Sequence, residues 1–532
     1  MERKKNKGIT LIALIITIVV LLILAVVAIN AITGDGIIAH ARNAQKDYID
    51  ATKREEDLLK YYEGVLDTQE IMPTVAELQE KYEFSYYTTL SKAIADVNGE
   101  TTANADSTKE NAVAGIYKDE NNNVTVVLLK DTEEANKLTI SKNVIFNLGG
   151  NTLSFTTSTS GIVFDTSTTA TINGMLKGSK IETKINETVT SDFILIDAEG
   201  ENFNLIGGEY VNNINSSGAV ILMKAELTNC FYMKKCKVLC SESAKVKGVQ
   251  IKADNANIEN SVIEVNGKTT AQGVRVTKST SPVNTQIKNS TVKVASNNGS
   301  CAAIINYGVM NIENTEINGN SENGGANGVI SFKDAKMTIT NTNIFSDAAY
   351  SDDSKAAVGI NNFGEMKFYS GSVCGVHSGM QNLPGAKLYV YGGTFDGYVH
   401  GGIYFAQGEN GEAYVENATL TSGEYRGKYD GSKFSLAHGG SFYIGGDTGI
   451  NNIKVYMDGC TIKSVKGTMG VLTGTSGEIN NQLYISNSTI ESGKKMRIDE
   501  NQKLFVGKGT NITEANVSSV DRVEFTNEEY KR

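Results

Sequence analysis

The chain has 532 residues and a formal net charge of −10, with 40% hydrophobic residues. That length accommodates several domains or one long repeat, and the acidic balance, with no compact basic cluster after Lys7, argues against a nucleic-acid partner. Trp is absent and Pro occurs only three times against 53 Gly, a composition rich in turns and poor in rigid loops that suits stacked β structure.

The chain opens on a basic stretch with Arg3, Lys4, Lys5 and Lys7 against a single Glu2. From Ile9 to Ile32 the only clearly polar side chains are Thr10, Thr17 and Asn30. As a helix this run is roughly 36 Å long, enough to cross a hydrocarbon core of ~30 Å. The basic flank keeps the N-terminus in the cytoplasm, so the bulk of the chain is expected outside the membrane. Lys7-Gly8-Ile9-Thr10-Leu11-Ile12-Ala13-Leu14 resembles a type IV prepilin leader. The resemblance implies that Gly8 is the last leader residue and Ile9 the first mature one, cut and methylated by a prepilin peptidase. Ala13 stands where that family usually has Glu, which implies a minor or tip subunit of a pilus-like assembly, or a solitary anchor, instead of a bulk fibre subunit. An uncleaved signal-anchor, and a signal peptidase cut near Ala25–Ala28, are the alternatives.

Thr33-Gly34-Asp35-Gly36 marks a break, and Ile37 to Leu66 reads as a charged external helix on which His40 is solvated. The expected divisions are a leader over 1–8, a transmembrane and external helix over 9–66, and a linker with an N-terminal cap over 67–112. A parallel β-helix over 113–517 and a polar tail over 518–532 follow. Gly99 to Asn111 is the candidate linker, and the helical piece around 88–97 is placed to cap a solenoid.

Past Val113 the pattern changes. An Asn or Gly, a small residue and an apolar pair recur, as in Asn260-Ser261-Val262-Ile263, Asn289-Ser290-Thr291-Val292, Asn314-Thr315-Glu316-Ile317 and Asn341-Thr342-Asn343-Ile344. The pattern continues at Gly371, Gly393, Asn417, Gly459 and Asn487, at intervals of 22 to 30 residues with one of 42. A second marker, Gly before an apolar residue, recurs at Gly248, Gly273, Gly328, Gly359, Gly379, Gly402, Gly440 and Gly470. Two landmarks in constant order at one coil length predict a solenoid whose units bury their apolar faces only by stacking at ~4.8 Å. Stacked Asn amides suit a hydrogen-bonded ladder. The opening strands, Val124-Thr125-Val126-Val127-Leu128-Leu129 and Val144-Ile145-Phe146-Asn147-Leu148, resemble the first coils of right-handed parallel β-helices of the pectate-lyase-like class. The fold class is therefore mainly β, a right-handed parallel β-helix preceded by a pilin-like transmembrane helix. A β-propeller is the competitor, but the strands are too short for its blades.

The long interval holds an insertion, Gly423-Glu424-Tyr425-Arg426-Gly427-Lys428-Tyr429, in a region (368–456) dense in aromatic residues. Tyr suits sugar contact, because its face covers C–H groups while its hydroxyl bonds ring substituents. Filling of the solenoid core is expected to account for at least half of these aromatics. Three of the four His (His377, His400 and His438) lie two residues before a marker Gly, so they should stack in successive coils. Such a row is a structural ladder or a ligand contact, and it does not by itself make a tetrahedral metal site. The candidate ligand-binding residues are His377, His400, His438, Tyr389, Tyr391, Tyr404, Tyr443 and Arg426.

Asp352-Asp353 and Val399-His400-Gly401-Gly402 match polygalacturonase motifs poorly, since no Asn-Thr-Asp precedes and no Arg-Ile-Lys follows. Arg275 and Arg426 are the only Arg between Asn260 and Asn487, the run of coils marked by the repeat, and neither stands beside clustered acids as a lyase base requires. No catalytic residue, metal or cofactor is assigned. The six Cys (230, 236, 240, 301, 374, 460) are too few and too irregular for a disulfide framework, and buried thiols are expected. The expectation is a single-pass, membrane-anchored surface protein that adheres to extracellular polysaccharide or a host surface. A carbohydrate-active hydrolase or lyase and a ligand-free spacer are the alternatives.

Overall fold

The computed structural model describes residues 73–531 except 101–103, 159, 166–168, 186–187, 226–228, 279–282, 349–355, 409–410, 423–439, 446–451, 465–467, 474–479 and 492–493. Gly8, Ile9, the apolar run and the external helix lie outside the described residues, as do Arg426 and His438. Among the described residues no helix is long and apolar enough to cross a membrane. Thr74–Arg532 forms one compact unit. Its architecture is a β-solenoid of the right-handed type with about 11 turns.

Among the described residues two short helices precede the coils. The first, α1 (Val75–Lys81), begins in a capping box in which Thr74 and Glu77 satisfy each other's backbone N–H groups. In the second, α2 (Leu90–Asn98), the Thr89 hydroxyl accepts from Lys92 N–H and Gly99, at φ 84°, ends the helix. Leu90, Ala93 and Ile94 of α2 are buried in the core. Asn98 pairs with the strand below it through Thr139 O and Ser141 N–H, both at 2.9 Å, so the end of the sheet is covered and not left as an open edge.

Each typical coil supplies one strand to a first sheet and two to a second. In one coil these are Asn284–Lys288, Thr291–Ser296 and Cys301–Asn306, each paired in parallel with its counterpart in the next coil. Alternation decides the faces. Ile287, Val292, Val294 and Ile304 point inward and are almost wholly buried, while Gln286, Lys288, Thr291, Lys293 and Ala295 beside the first three are half-buried on the outer face. Parallel stacking in this order is incompatible with propeller blades.

The Asn landmark is the corner between the sheets. Asn260, Asn289, Asn314, Asn341, Asn417 and Asn487 all have φ between 46° and 52°, a left-handed conformation that Asn tolerates better than other residues with a side chain. Gly371, Gly393 and Gly459 do the same work at φ 118°, 99° and 64°. The expected amide ladder forms: Asn341 donates to Asn314 Oδ1 at 2.7 Å and Asn314 donates to Asn289 Oδ1 at 3.1 Å. The next residue ties the corner together. Ser261 and Ser290 donate to the carbonyl two residues back, and each hydroxyl accepts a backbone N–H from the coil before. Cys236 and Cys460 occupy this same position, their thiols lying 3.2 and 3.5 Å from the corresponding carbonyls. That placement explains two of the six free Cys as stand-ins for hydroxyls.

The Gly landmark lies where the two strands of the second sheet meet. A Cβ on Gly359 would fall 2.4 Å from Gly379 O and 2.5 Å from Val373 Cγ1. Register carries the row from Gly359 through Gly379 to Gly402, but the next position is Ser441, with Gly440 one residue off.

A third corner holds a polar ladder that the sequence repeat did not reveal. Asn362 donates to Asn382 Oδ1 at 2.8 Å, and Asn382 donates to Gln407 Oε1 at 3.3 Å, all three fully or nearly fully buried. Asn306 and Asn362 accept the N–H groups of Gly308 and Gly364 across the turn. The signal was present as Asn306-Tyr307-Gly308 and Asn362-Phe363-Gly364.

Candidate functional site

The strand Ser378–Asn382 and its counterparts Ile403–Phe405 and Phe442–Ile444 form part of the outer wall of the second sheet. Met380, Ile403 and Phe442 point into the core. Gln381, Tyr404 and Tyr443 share one outward row by register, and all three are half-buried. His377 and His400 lie at the bends preceding two of these strands. Their rings meet edge to face at 4.5 Å, and His400 N–H donates to His377 O at 2.9 Å. Stacking of this pair in successive coils agrees with their shared spacing from the marker Gly.

His400 joins this pair to the tyrosines. Its ring centroid lies 4.9 Å from that of Tyr404 and 5.0 Å from that of Tyr443, while the two tyrosines meet at 5.4 Å and 75°. Four of the candidate residues therefore form one cluster drawn from three coils. Tyr389 is elsewhere. It begins an in-register ladder on the outer face of the first sheet, Tyr389, Tyr414, Tyr456, Tyr484 and Phe505, with rings within 15° of parallel and 4.5–5.9 Å apart. Tyr391 stacks on the exposed Tyr369 at 4.9 Å, at the Asn corner. The difference matters for recognition. Parallel stacking turns ring faces toward one another and edges to solvent, whereas a near-perpendicular pair cannot hide both faces against each other.

His377 is 4% exposed, and burial pushes its pKa down to about 4. Its Nδ1 lies 3.0 Å from both Ser378 Oγ and Gln381 Nε2, so the Gln amide donates to the neutral ring. The depression has burial as its cause, which keeps the ring neutral at pH 7. Nearby in the sequence, Asp396 is engaged differently: it accepts from Thr421 Oγ1 at 2.5 Å and lies 3.9 Å from Cys374 Sγ.

The sign of the pH effect follows. The unfolded chain binds the proton near 6.5 and the folded one only near 4, so His377 costs nothing above about 6.5 and destabilises increasingly as pH falls toward 4. The full window is worth about 3 kcal/mol at ~1.4 kcal/mol per pKa unit. Urea unfolding of residues 74–532 at neutral and mildly acidic pH should show a larger acid loss in the native chain than in His377→Gln. Equal losses would remove the buried-neutral assignment.

Among the described residues no group of three or more His, Cys, Asp or Glu is placed to hold a metal ion. No protein-family model matches the chain, and no curated protein matches it.

Proposed function

We propose that the solenoid binds polysaccharide and that the chain is a membrane-anchored surface adhesin. The observation that carries the binding reading is the convergence of His400, Tyr404 and Tyr443 on the outer wall, beside the half-buried Gln381. Tilted aromatic rings beside amide and imidazole groups suit a ligand with apolar C–H faces and many hydroxyls. The anchor rests on the apolar run from Ile9 to Ile32 and its basic flank, and processing by a prepilin peptidase rests on Gly8 and the residues after it. In this reading the chain joins a pilus-like assembly as a minor subunit, Ala13 standing in place of the Glu that bulk pilins carry.

The test applies residues 74–532 to a polysaccharide array, with product release followed on every hit. Tyr404→Ala and Tyr443→Ala should each weaken binding at least tenfold, since a buried aromatic contact is worth about 1.4 kcal/mol or more. Tyr456→Ala, in the parallel ladder of the other sheet, should leave binding unchanged. Binding lost equally in all three would refute the placement. New reducing or unsaturated ends would instead favour a hydrolase or lyase, and no binding at all would leave a spacer.

A further inference from the structure

The outward row that holds Tyr404 and Tyr443 extends far beyond them. Register continues it from Arg275 through Ile305, Ile330 and Asn361 to Gln381, and past Tyr443 through Val471 to Arg497. Between those two Arg the row carries no charged side chain. The companion row on the same strands, Ala302, Asn327, Val358 and Ser378, is uncharged as well, and of its members Asn327 alone is half-buried while the other three are buried.

The two flanking cations are already engaged. The Arg275 guanidinium lies 5.7 Å from the Tyr307 ring centroid, and Arg497 pairs with Asp499 at 2.8 Å. Two residues beyond Ile305, Ile330 and Asn361, at the turn just past the ends of their strands, stand the half-buried rings of Tyr307, Phe332 and Phe363. They stack at 4.1 and 6.1 Å and form an apolar wall along the rod axis. Beside that wall Asn361 donates to Asn327 Oδ1 at 2.6 Å, fixing the orientation of both amides.

We infer that this strip takes a neutral glycan, lying along the rod with about one sugar per rung of ~4.8 Å. The inference rests on the binding reading above and adds the class of ligand. An acidic glycan would surrender water from each carboxylate with no counter-charge on the strip to replace it. A neutral chain sets its C–H groups against the tilted rings of Tyr404 and Tyr443 and the edges of the stacked wall, and its hydroxyls against fixed amides, and gives up less hydration than a carboxylate-bearing chain.

The experiment measures retention of residues 74–532 on immobilised neutral polysaccharides (xylan, glucomannan, mixed-linkage glucan) and acidic ones (polygalacturonate, alginate), at low and high salt. Retention on a neutral glycan that high salt does not weaken is expected, because no ion pair is there to be screened. Asn361→Ala and Phe332→Ala should each reduce it at least fivefold, with thermal unfolding midpoints used to confirm that both variants fold. Retention confined to acidic glycans and lost in high salt would overturn the neutral class while leaving the binding reading intact. Retention on neutral glycans unchanged in both folded variants would overturn this strip as the site. No retention on any glycan would overturn the inference and the binding reading together.

Discussion

Gly359→Val is expected to destabilise the solenoid by about 3 kcal/mol or more, and to shift urea unfolding of residues 74–532 well below the native midpoint. The first added carbon would stand 2.4 Å from the Gly379 carbonyl and 2.5 Å from a Val373 methyl. Neither can retreat freely, because Gly379 belongs to the next rung and Val373 is 1% exposed in the core. A rung forced outward also loses register with both neighbours, so the damage spreads along the stack. Gly385 is the matched control. It sits at φ 85° with open space around its Cα, so Gly385→Asn should change stability by less than ~1 kcal/mol. A Gly359→Val midpoint as close to native as that of Gly385→Asn would show that the row is not set by close approach.

Asn362→Leu should cost about 2–4 kcal/mol, although it replaces a polar core residue with an apolar one of similar size. The Asn362 amide reaches three groups: it accepts from Gly364 N–H at 3.1 Å and donates to Asn382 Oδ1 at 2.8 Å and to Lys387 O at 3.2 Å. Leucine leaves all of them in a site that is 0% exposed, and unmet buried polar groups cost more than a lost hydrogen bond in water. The double variant Asn362→Leu with Asn382→Leu should therefore lose less than the sum of the two single changes, since one partner no longer strands the other. Strict additivity in unfolding measurements would indicate that the two amides act separately.

Much of the repeat was legible because its landmarks are backbone requirements. A corner at φ near 50° selects Asn or Gly, and a close approach of neighbouring rungs selects Gly, so both recur at coil length whatever the rest of the coil does. The polar ladder at Asn306 and Asn362 went unread because its members vary: Ser331 holds the same register as Asn306, and Gln407 closes the Asn362–Asn382 chain. The aromatic region divided in a way that spacing alone did not disclose. Phe368, Phe395, Tyr398, Phe405 and Phe442 lie in the core, five of the twelve described aromatics and so fewer than the half expected, while Tyr389, Tyr391, Tyr404, Tyr414, Tyr443 and Tyr456 stay half-buried on the outside. A buried Tyr hydroxyl needs a hydrogen-bond partner, as Tyr210 finds in Gly207 O elsewhere in the core, whereas an inward Phe needs none.

The sequence by itself determined a stacked β architecture, its coil length, the corner made by Asn and the pairing of His377 with His400. Each depends on a short-range rule: alternation along a strand, a left-handed corner, or equal spacing from a common landmark. Only the tertiary structure decided which aromatics meet. Tyr389 and Tyr404 are 15 positions apart and look equivalent in the sequence, yet one lies on the first sheet in a parallel ladder and the other on the second sheet against His400. The same holds for the uncharged strip, whose members stand about a coil apart in the chain and become neighbours only when the rungs stack in register.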